Sequence, residues 1–426
     1  VQSAAMRRQH IWTIGCQMND ADAQKVREAL ASLGYEASAP ADEADVVVLV
    51  TCVVRQAAED KAVARIDSLK GHKQLHPDSL VLVMGCLVDD AETLGRRFPW
   101  VDAFFRPSDI RGLAEFVRQR SLAEPDQPAP PFPSPVSVSI PISLGCDHHC
   151  TYCIVRLRRG CQQSRPAGDI LADAVSAVGK GAREIVLLGQ NVDAYGHDLP
   201  EQGVDLATLL SMVNSIDGLL RLRFLTSHPA EMSVTLIDAV ARLERVCPHF
   251  ELPVQSGDDT VLRRMGRGYT AAQYSALVGE IRARVPGCSI ATDVIVGFPG
   301  ETEAQFAATY DLVATERLDT VHLARYSPRP GTPAALLPDD VPEPVKERRR
   351  LALEKLQARI SQEINSTYLG RTVEVLVEGK RRGRWQGRSG TNKLVFFDAD
   401  GEWTGRMVQV EIIRAGAWSL RGMVRG

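Results

Sequence analysis

The stretch from Cys146 to Cys153, here called the cluster loop, constrains this 426-residue chain more than any other feature. Its cysteines have the spacing C-x3-C-x2-C, so three thiolates fall within eight residues. Thiolates are the ligands of soft metals and of iron–sulfur clusters, and three of them can bind three irons of one cluster while a fourth iron stays open. A zinc site is the alternative, with His148 or His149 as its fourth ligand.

This spacing is that of the radical S-adenosylmethionine (SAM) enzymes, which the chain also resembles in the aromatic Tyr152 before the last cysteine. The resemblance implies that Cys146, Cys150 and Cys153 hold a 4Fe-4S cluster whose open iron is chelated by SAM. It further implies that one electron splits SAM into methionine and a 5′-deoxyadenosyl radical. A flavodoxin- or ferredoxin-like electron donor is then an expected partner.

Composition narrows the class of protein. The length predicts two or three domains, and 44% hydrophobic with 24% charged residues is ordinary for a globular chain. No run approaches 18 apolar residues, and no apolar segment follows the basic start, so neither a membrane span nor a signal peptide is expected. Nine cysteines, an odd number, favour metal binding in a reducing cytoplasm over disulfides.

Three apolar runs near the N-terminus, at 10–14, 46–50 and 80–84, alternate with helical patterns and predict a parallel sheet covered on both faces. Cys16, Cys52 and Cys86, here called the N-terminal triad, each follow one of these runs. Parallel strands end at one sheet edge, so the three thiols should converge and could hold a second cluster. The alternative is that they are small buried residues.

The strings GCQMN, TCVVR and GC around these cysteines resemble the N-terminal domain of the methylthiotransferases. That resemblance implies an auxiliary 4Fe-4S cluster on the N-terminal triad, and a sulfur or cluster donor protein as a partner. The expected fold class is α/β throughout. Residues 8–120 form a parallel α/β methylthiotransferase domain, and residues 121–135, with six prolines, form an extended connector.

Residues 136–369 predict six strands alternating with helices, too few for a closed eight-stranded barrel. An open six-strand partial (β/α) barrel fits, and it is the fold that the radical SAM resemblance implies. Its active site would lie at the carboxyl ends of the strands. The strands are expected at 138–144, 184–188, 221–225, 249–253, 289–296 and 319–325.

Polar residues follow these strands, and the strings LLGQNV, TSHP, LPVQSG, DVIVGFPGE and YSPRPGTPA resemble the methylthiotransferase core. Side chains there can bind SAM by hydrogen bonds. Departures from the family pattern occur at 154–161, where Cys161 is interpreted as a bystander because a fourth thiolate would close the open iron. Cys247 and Cys288 are interpreted likewise, and His148 and His149 as loop surface. The predicted SAM-binding residues are Tyr152, Gln190, Ser227, His228, Gln255 and Asp293.

Residues 370–426 switch to a period of two and predict a small β-barrel. From residue 371 onward, eleven Lys and Arg stand against six Asp and Glu, although the whole chain has a net charge of −3. Cations contact phosphates and an aromatic can stack on an unpaired base, whereas the alternative is a solvated charged turn. The segment resembles a TRAM domain, which favours RNA. The predicted RNA-binding residues are Lys380, Arg381, Arg382, Arg384 and Arg388, with Trp385 as the stacking face.

Together these features identify the chain as a member of the radical SAM methylthiotransferases. GCQMN and TCVVR favour the branch that adds a methylthio group to C2 of N6-dimethylallyladenosine next to the anticodon in tRNA. The sister activities, on threonylcarbamoyladenosine in tRNA or on an aspartate of a ribosomal protein, remain alternatives. A non-catalytic RNA-binding protein with structural or redox-sensing clusters is the alternative from another class.

Overall fold

The computed structural model describes residues 7–36, 40–120 and 135–425, so the predicted proline-rich connector lies outside the described residues except for Pro135. The chain forms two compact units. Among the described residues, the first comprises 7–36, 40–120 and Ile154–Cys161, and the second comprises 135–153 and 162–425. No helix in the described ranges has the length and apolar character needed to cross a membrane.

The first unit is a five-stranded parallel sheet with helices on both faces. Its strand order is β2-β1-β3-β4-β5. Two short edge strands extend the predicted three. The strands are β1 (Arg7–Thr13), β2 (Tyr35–Glu36), β3 (Val46–Thr51), β4 (Leu80–Gly85) and β5 (Ala103–Phe105), and the helices are α1 (Gln17–Ser32), α2 (Gln56–Leu75), α3 (Ala91–Arg97), α4 (Ile110–Arg120) and α5 (Val155–Arg159).

Strand β3 shows why the sequence reads as a continuous apolar run. All six of its residues are buried. Val46, Val48 and Val50 pack in one core cluster with residues of α1 and α4, whereas Val47 and Leu49 pack in another with residues of α2 and α3. Because successive side chains of a strand point to opposite faces, a strand covered on both faces needs apolar residues at every position.

The second unit contains all six predicted barrel strands. They form two parallel three-stranded sheets, ordered β10-β9-β6 and β11-β12-β13, and a parallel bridge from Leu222 to Val246 continues the first toward the second. The strands are β6 (Ser137–Pro141), β7 (Ser143–Leu144), β8 (Gln163–Ser164), β9 (Glu184–Leu188), β10 (Arg221–Phe224), β11 (His249–Glu251), β12 (Ser289–Val296) and β13 (Thr320–Arg325). The helices are α6 (Ala167–Gly179), α7 (Leu206–Asn214), α8 (Val234–Arg242), α9 (Asp259–Met265), α10 (Ala271–Arg284), α11 (Glu303–Glu316) and α12 (Glu343–Ser366).

A closed five-stranded barrel, ordered β14-β15-β16-β18-β17, ends the chain and confirms the predicted small β-barrel. Alternate residues of each strand face its interior, where Trp385 and Phe397 are almost fully buried. The strands are β14 (Thr372–Arg381), β15 (Arg384–Ser389), β16 (Leu394–Phe397), β17 (Met407–Ala415) and β18 (Leu420–Val424).

Two buried arginines of β10 donate hydrogen bonds to backbone carbonyls of this small barrel. Arg223, which is 4% exposed, donates to the carbonyls of Ser389 and Gly390 at 2.7 and 2.9 Å, and its Nε donates to Glu184 at 2.7 Å. Arg221 donates to the carbonyl of Glu374 at 3.0 Å. Hydrogen bonds of a buried cation are stronger than those between neutral groups, so these contacts attach the small barrel to β10.

Candidate functional sites

The N-terminal triad lies at one edge of the first sheet. Cys16, Cys52 and Cys86 follow β1, β3 and β4, which are neighbours in the sheet and run parallel. A Cβ at Gly15 would lie 2.5 Å from the Cβ of Cys52 and 3.1 Å from its Sγ, and the φ of Gly15 is +136°. Only glycine suits this position, because it tolerates such a φ and leaves room for the thiol.

Burial keeps two of these thiols from ionising readily. It raises the pKa of Cys52 to about 11, against a hydrogen bond from the Val54 backbone N–H. It also raises the pKa of Cys86, against the positive charge of Arg159. Metal ligation requires the thiolate form, so a cation beside these thiols favours the state that can bind iron.

Asn19 and Arg159 organise the same sheet edge, and sequence reasoning missed both roles. The fully buried Asn19 donates to the carbonyls of Ile14 and Thr51 at 2.7 and 3.0 Å, tying the end of β1 to the end of β3. The Arg159 guanidinium donates to the Asn19 side-chain oxygen at 3.2 Å and lies 3.5 Å from a carboxylate oxygen of Asp22. Arg159 lies far from Asn19 and Asp22 in the sequence, so no local pattern indicated this contact.

The cluster loop of the second unit is fixed by hydrogen bonds to the end of α9. The Thr151 N–H donates to the carbonyl of Met265 at 2.9 Å, and its hydroxyl donates to the carbonyl of Arg264 at 2.8 Å. The guanidinium of Arg267, 6% exposed, donates to the Cys150 Sγ at 3.3 Å. Such a bond stabilises a thiolate, so Arg267 contributes to the site although no motif pointed to it.

His148 was predicted to be loop surface rather than a ligand; it lies in the loop, partly exposed, and also belongs to a polar network. Its ring stacks on His228 with centroids 3.8 Å apart, and its Nε2 lies 2.7 Å from a carboxylate oxygen of Glu231. Asn191 reaches both His148 and Glu231, at 3.1 and 2.7 Å. His149, by contrast, is exposed.

The zinc alternative has no preformed ligand set. Within the described ranges, no three His, Cys, Asp or Glu side chains are grouped to hold one metal ion. The thiolates of an iron–sulfur cluster bind different irons, so they lie farther apart than the ligands of one ion. Glu231 already engages His148, one of the two histidines offered as a fourth zinc ligand.

The carboxyl ends of β9, β10 and β11 present buried polar atoms that have no hydrogen-bond partner among the described residues. Three of the residues that carry them were predicted to bind SAM. Buried polar atoms in proteins are nearly always hydrogen-bonded, so a group of them at one sheet edge indicates a place for a polar ligand. These atoms are the Oε1 of Gln190, the Oδ1 of Asn191, the Nε2 of His228 and the Oε1 of Gln255.

Asp193, which the sequence did not point to, holds two of the predicted residues in place. It accepts hydrogen bonds from the Ser227 hydroxyl and the His228 backbone N–H, both at 2.9 Å. Burial raises the pKa of Asp193 to about 7 and lowers that of His228 to about 3. The His228 ring is therefore neutral at physiological pH, and because its Nδ1 accepts a hydrogen bond from the Ala230 N–H at 3.2 Å, its Nε2 carries the proton and can donate.

Tyr152 and Asp293, also predicted to bind SAM, occupy different surroundings. Asp293 lies inside β12, as expected, and its charge adds to burial in raising the pKa of Glu251 to about 7. Tyr152 packs against an apolar cluster that anchors the cluster loop. That cluster consists of Val261, Met265, Phe298, Tyr326 and Ala334. Whether either residue binds SAM stays a prediction.

The small barrel carries a basic groove of about 750 Å³, here called the RNA groove. Three of the predicted arginines line it, and two more arginines and an aromatic residue join them from β16, β17 and β18. Antiparallel pairing places Arg414 opposite Arg421 and Arg381 opposite Arg384, so strands distant in sequence combine their charges. The charged and aromatic lining consists of Arg381, Arg382, Arg384, Arg414, Arg421 and Phe396.

Trp385 is not a stacking platform, so that part of the RNA prediction is wrong. It is 2% exposed, and its indole N–H donates to the carbonyl of Ala399 at 3.0 Å inside the barrel. Lys380 lies over its ring at 4.4 Å, and Arg388 binds Asn392 and Glu378, so neither cation lines the groove. Phe396 is the aromatic residue that does.

Three family models match the chain in succession. They are "Uncharacterized protein family UPF0004" over residues 8–106, "Radical SAM superfamily" over 140–313 and "TRAM domain" over 366–424. The chain is 45% identical to the tRNA-2-methylthio-N(6)-dimethylallyladenosine synthase of Roseiflexus sp. (strain RS-1), covering 98% of this chain and 90% of that protein. It is 43% identical to the protein of that name from Herpetosiphon aurantiacus, covering 98% of each.

Among solved structures, the fold is similar to that of TsrM from Kitasatospora setae, a radical S-adenosylmethionine methyltransferase. That likeness has a TM-score of 0.56 at 14% identity and covers 77% of this chain and 75% of that chain. At so low an identity the comparison supports the fold alone, and it agrees with the six parallel strands of the second unit.

Proposed function

The chain belongs to the family of tRNA-2-methylthio-N(6)-dimethylallyladenosine synthases, and on that premise we propose that it adds a methylthio group to C2 of N6-dimethylallyladenosine next to the anticodon in tRNA. The single observation that carries this proposal is the identity above 40% that extends over nearly the whole length of the relatives of that name. All three segments that the reaction needs are therefore present in one chain.

We propose that the protein uses SAM and two 4Fe-4S clusters, one on the N-terminal triad and one on Cys146, Cys150 and Cys153. The cysteines fit this role because of where they lie. The N-terminal triad lies at the carboxyl edge of a parallel sheet, and the other three cysteines lie in a loop that hydrogen bonds fix to the end of α9. When bound, these groups supply the one-electron chemistry that generates a carbon radical and the sulfur that is transferred.

The chain's own residues would bind and orient SAM at the barrel edge. The unpartnered Nε2 of His228 and the amide oxygens of Gln190 and Gln255 offer hydrogen bonds to its polar groups. Asp193 fixes the backbone that carries His228, so that the ring keeps its direction before the ligand arrives. Arg267 donates to Cys150 and favours its thiolate form.

The RNA groove would bind the phosphates of tRNA, and its arginines can hold them in bidentate fashion. Phe396 offers a stacking face for an unpaired base there. The groove supplies affinity without choosing the base, since phosphate contacts carry no sequence information. The residues at the barrel edge would then select the modified adenosine.

Two protein partners complete the proposal. A flavodoxin- or ferredoxin-like protein would donate the electron, and a sulfur or cluster donor protein would restore the sulfur used in each turnover. We propose that the protein acts in the cytoplasm, where a reducing environment keeps cysteines available as cluster ligands.

The test is a panel of purified tRNAs that carry dimethylallyladenosine, threonylcarbamoyladenosine or plain adenosine at the position next to the anticodon. With both clusters reconstituted anaerobically, only the first should gain a methylthio group, measured by mass spectrometry of the nucleosides. Product on the second tRNA but not the first would assign the sister activity, and product only on a ribosomal protein would reject a tRNA substrate. SAM left intact in a cluster-loaded sample would favour a non-catalytic RNA-binding protein.

A further inference from the structure

Arg159 ends the short helix α5, which packs in the first unit although the residues on either side of Ile154–Cys161 belong to the second. Its side chain is only 3% exposed. The guanidinium donates to the Ser108 hydroxyl at 3.2 Å and to the side-chain oxygen of Asn19 at 3.2 Å. A carboxylate oxygen of Asp22, itself 2% exposed, lies 3.5 Å away. The side chain is therefore held in one orientation from three sides.

The same guanidinium faces the N-terminal triad. Its charge favours the thiolate form of Cys86 and of Cys52, and it also interacts with Cys16. Arg159 thus stands between a buried carboxylate on one side and the three triad thiols on the other. Because an arginine stays charged at any pH at which proteins fold, this is a permanent cation at the site.

Ser108 shows that the backbone is shaped to keep this arrangement. Its φ is +63°, in the left-handed region that non-glycine residues rarely adopt. In that conformation the Ser108 hydroxyl donates to Asp22 at 2.8 Å and accepts from Arg159. Strained residues of this kind persist where the surrounding structure requires them, and they concentrate at functional sites.

Stability alone gives little reason for such an arrangement. Two buried ions lose their hydration, and apolar residues of the same size often serve a fold equally well. A cation that contacts cluster thiolates has a direct chemical effect instead, because nearby charge and hydrogen bonds to the sulfurs set the reduction potential of an iron–sulfur cluster.

We propose that Arg159 is a positioning residue of the N-terminal cluster: it is anchored by Asp22, Asn19 and Ser108 at the sheet edge that carries the triad, and its positive charge raises the reduction potential of the cluster bound there. This inference rests on the proposed function, since it assumes that Cys16, Cys52 and Cys86 bind a cluster. A positive charge stabilises the reduced, more negative form of the cluster, so its removal makes reduction harder.

The experiment uses the full chain with Cys146, Cys150 and Cys153 replaced by alanine, so that only the N-terminal triad can hold a cluster. Redox titration followed by electron paramagnetic resonance gives its midpoint potential. Arg159→Met should retain the iron but shift the ratio of reduced to oxidised cluster at least tenfold toward the oxidised form, about 59 mV for one electron. Arg159→Lys, which keeps the charge, should recover most of that shift.

Arg158→Met is the matched control. Arg158 lies on the same helix and pairs with Asp89 at 2.7 Å, so the variant removes one charge and one ion pair from α5 while leaving the triad contacts in place. Its midpoint potential should stay at that of the parent. An equal shift in this control would mean that any charge on α5 has the effect, and the specific role of Arg159 would be lost.

The outcomes separate this inference from the proposed function. A parent chain that binds no iron at the N-terminal triad would contradict the proposed function itself. Iron bound with an unchanged potential in Arg159→Met would overturn the inference alone. If that variant does not fold, the double variant Asp22→Asn/Arg159→Met is compared with Asp22→Asn alone, so that the two chains differ only in the charge of residue 159; equal potentials in these two would equally overturn the inference.

Discussion

The RNA groove leads to a quantitative prediction for the dependence of tRNA binding on salt. Arg381, Arg382 and Arg414 line the groove, and no ion pair engages them within the part of the chain that the structure describes. They are therefore available for phosphates. We expect the triple variant Arg381→Ala/Arg382→Ala/Arg414→Ala to bind tRNA more weakly and with a flatter dependence on salt concentration.

The size of the change follows from counterion release. Each lost phosphate contact lowers the slope of log K against log salt by about 0.7 for single strands and about 0.9 for a duplex. Three contacts thus remove roughly 2 to 3 units of slope. Over a fourfold rise in salt, from about 50 to about 200 mM, the affinity gap between parent and variant should narrow by roughly 20-fold to 40-fold.

Fluorescence anisotropy of labelled tRNA across this range of salt measures the slope directly. The control is Arg284→Ala/Arg317→Ala/Arg348→Ala. It removes the same charge from outside the groove, at α10, at the residue after α11 and at α12, where each arginine is paired with a carboxylate. Its slope should stay within about one unit of the parent, since no phosphate contact is lost. Equal slopes for the groove variant and the parent would refute the assignment of the groove to RNA.

Three further predictions concern the stability of the core, the iron content of the chain and the dependence of stability on pH. Arg223→Met leaves the buried Glu184 carboxylate without its cation, so the free energy of unfolding, measured with urea, should fall by about 3–5 kcal/mol. Adding Glu184→Gln to the same chain should recover much of this loss. A loss under about 1 kcal/mol would contradict the role of Arg223 in attaching the small barrel. Anaerobic reconstitution should give about eight irons per chain. Replacing all three cysteines of the cluster loop with alanine should leave about half of that iron, whereas complete loss of iron would contradict two independent cluster sites. Burial and the charge of Asp293 raise the pKa of Glu251 to about 7, so the folded state binds the Glu251 proton more tightly than the unfolded chain does. The free energy of unfolding should therefore fall on the order of 3 kcal/mol as pH rises from about 4.5 to 7. Glu251→Gln should flatten that profile of unfolding free energy against pH, and parallel profiles would show that another group is responsible.

The positions of the secondary-structure elements were within reach of the sequence. The six barrel strands and the three long strands of the first sheet occur where their apolar runs indicate, because burial on both faces requires an unbroken apolar strand. The short edge strands β2 and β5 were missed, since two or three residues give no measurable periodicity. The convergence of Cys16, Cys52 and Cys86 followed from topology alone.

One error could have been avoided from the sequence. In β15, residues Trp385, Gly387 and Ser389 are buried and alternate with arginines and Gln386. No strand was predicted here, but a period of two through these residues would have placed Trp385 on the face opposite to Arg384. A tryptophan between cations in sequence is not beside them in space when the backbone is extended.

The sequence by itself determined the fold class, the two cysteine sets and the family, because local periodicity and ligand spacing are properties of adjacent residues. Only the tertiary structure decided which distant side chains complete each site. Arg159 reaches Asp22 across 137 positions, Arg267 reaches Cys150 across 117, and Arg414 meets Arg421 through the register of β17 and β18. A charged residue in a loop has the same local pattern whether it faces water or a buried thiol. Its partner is set by how strands and helices pack, and no periodicity in the chain records that packing.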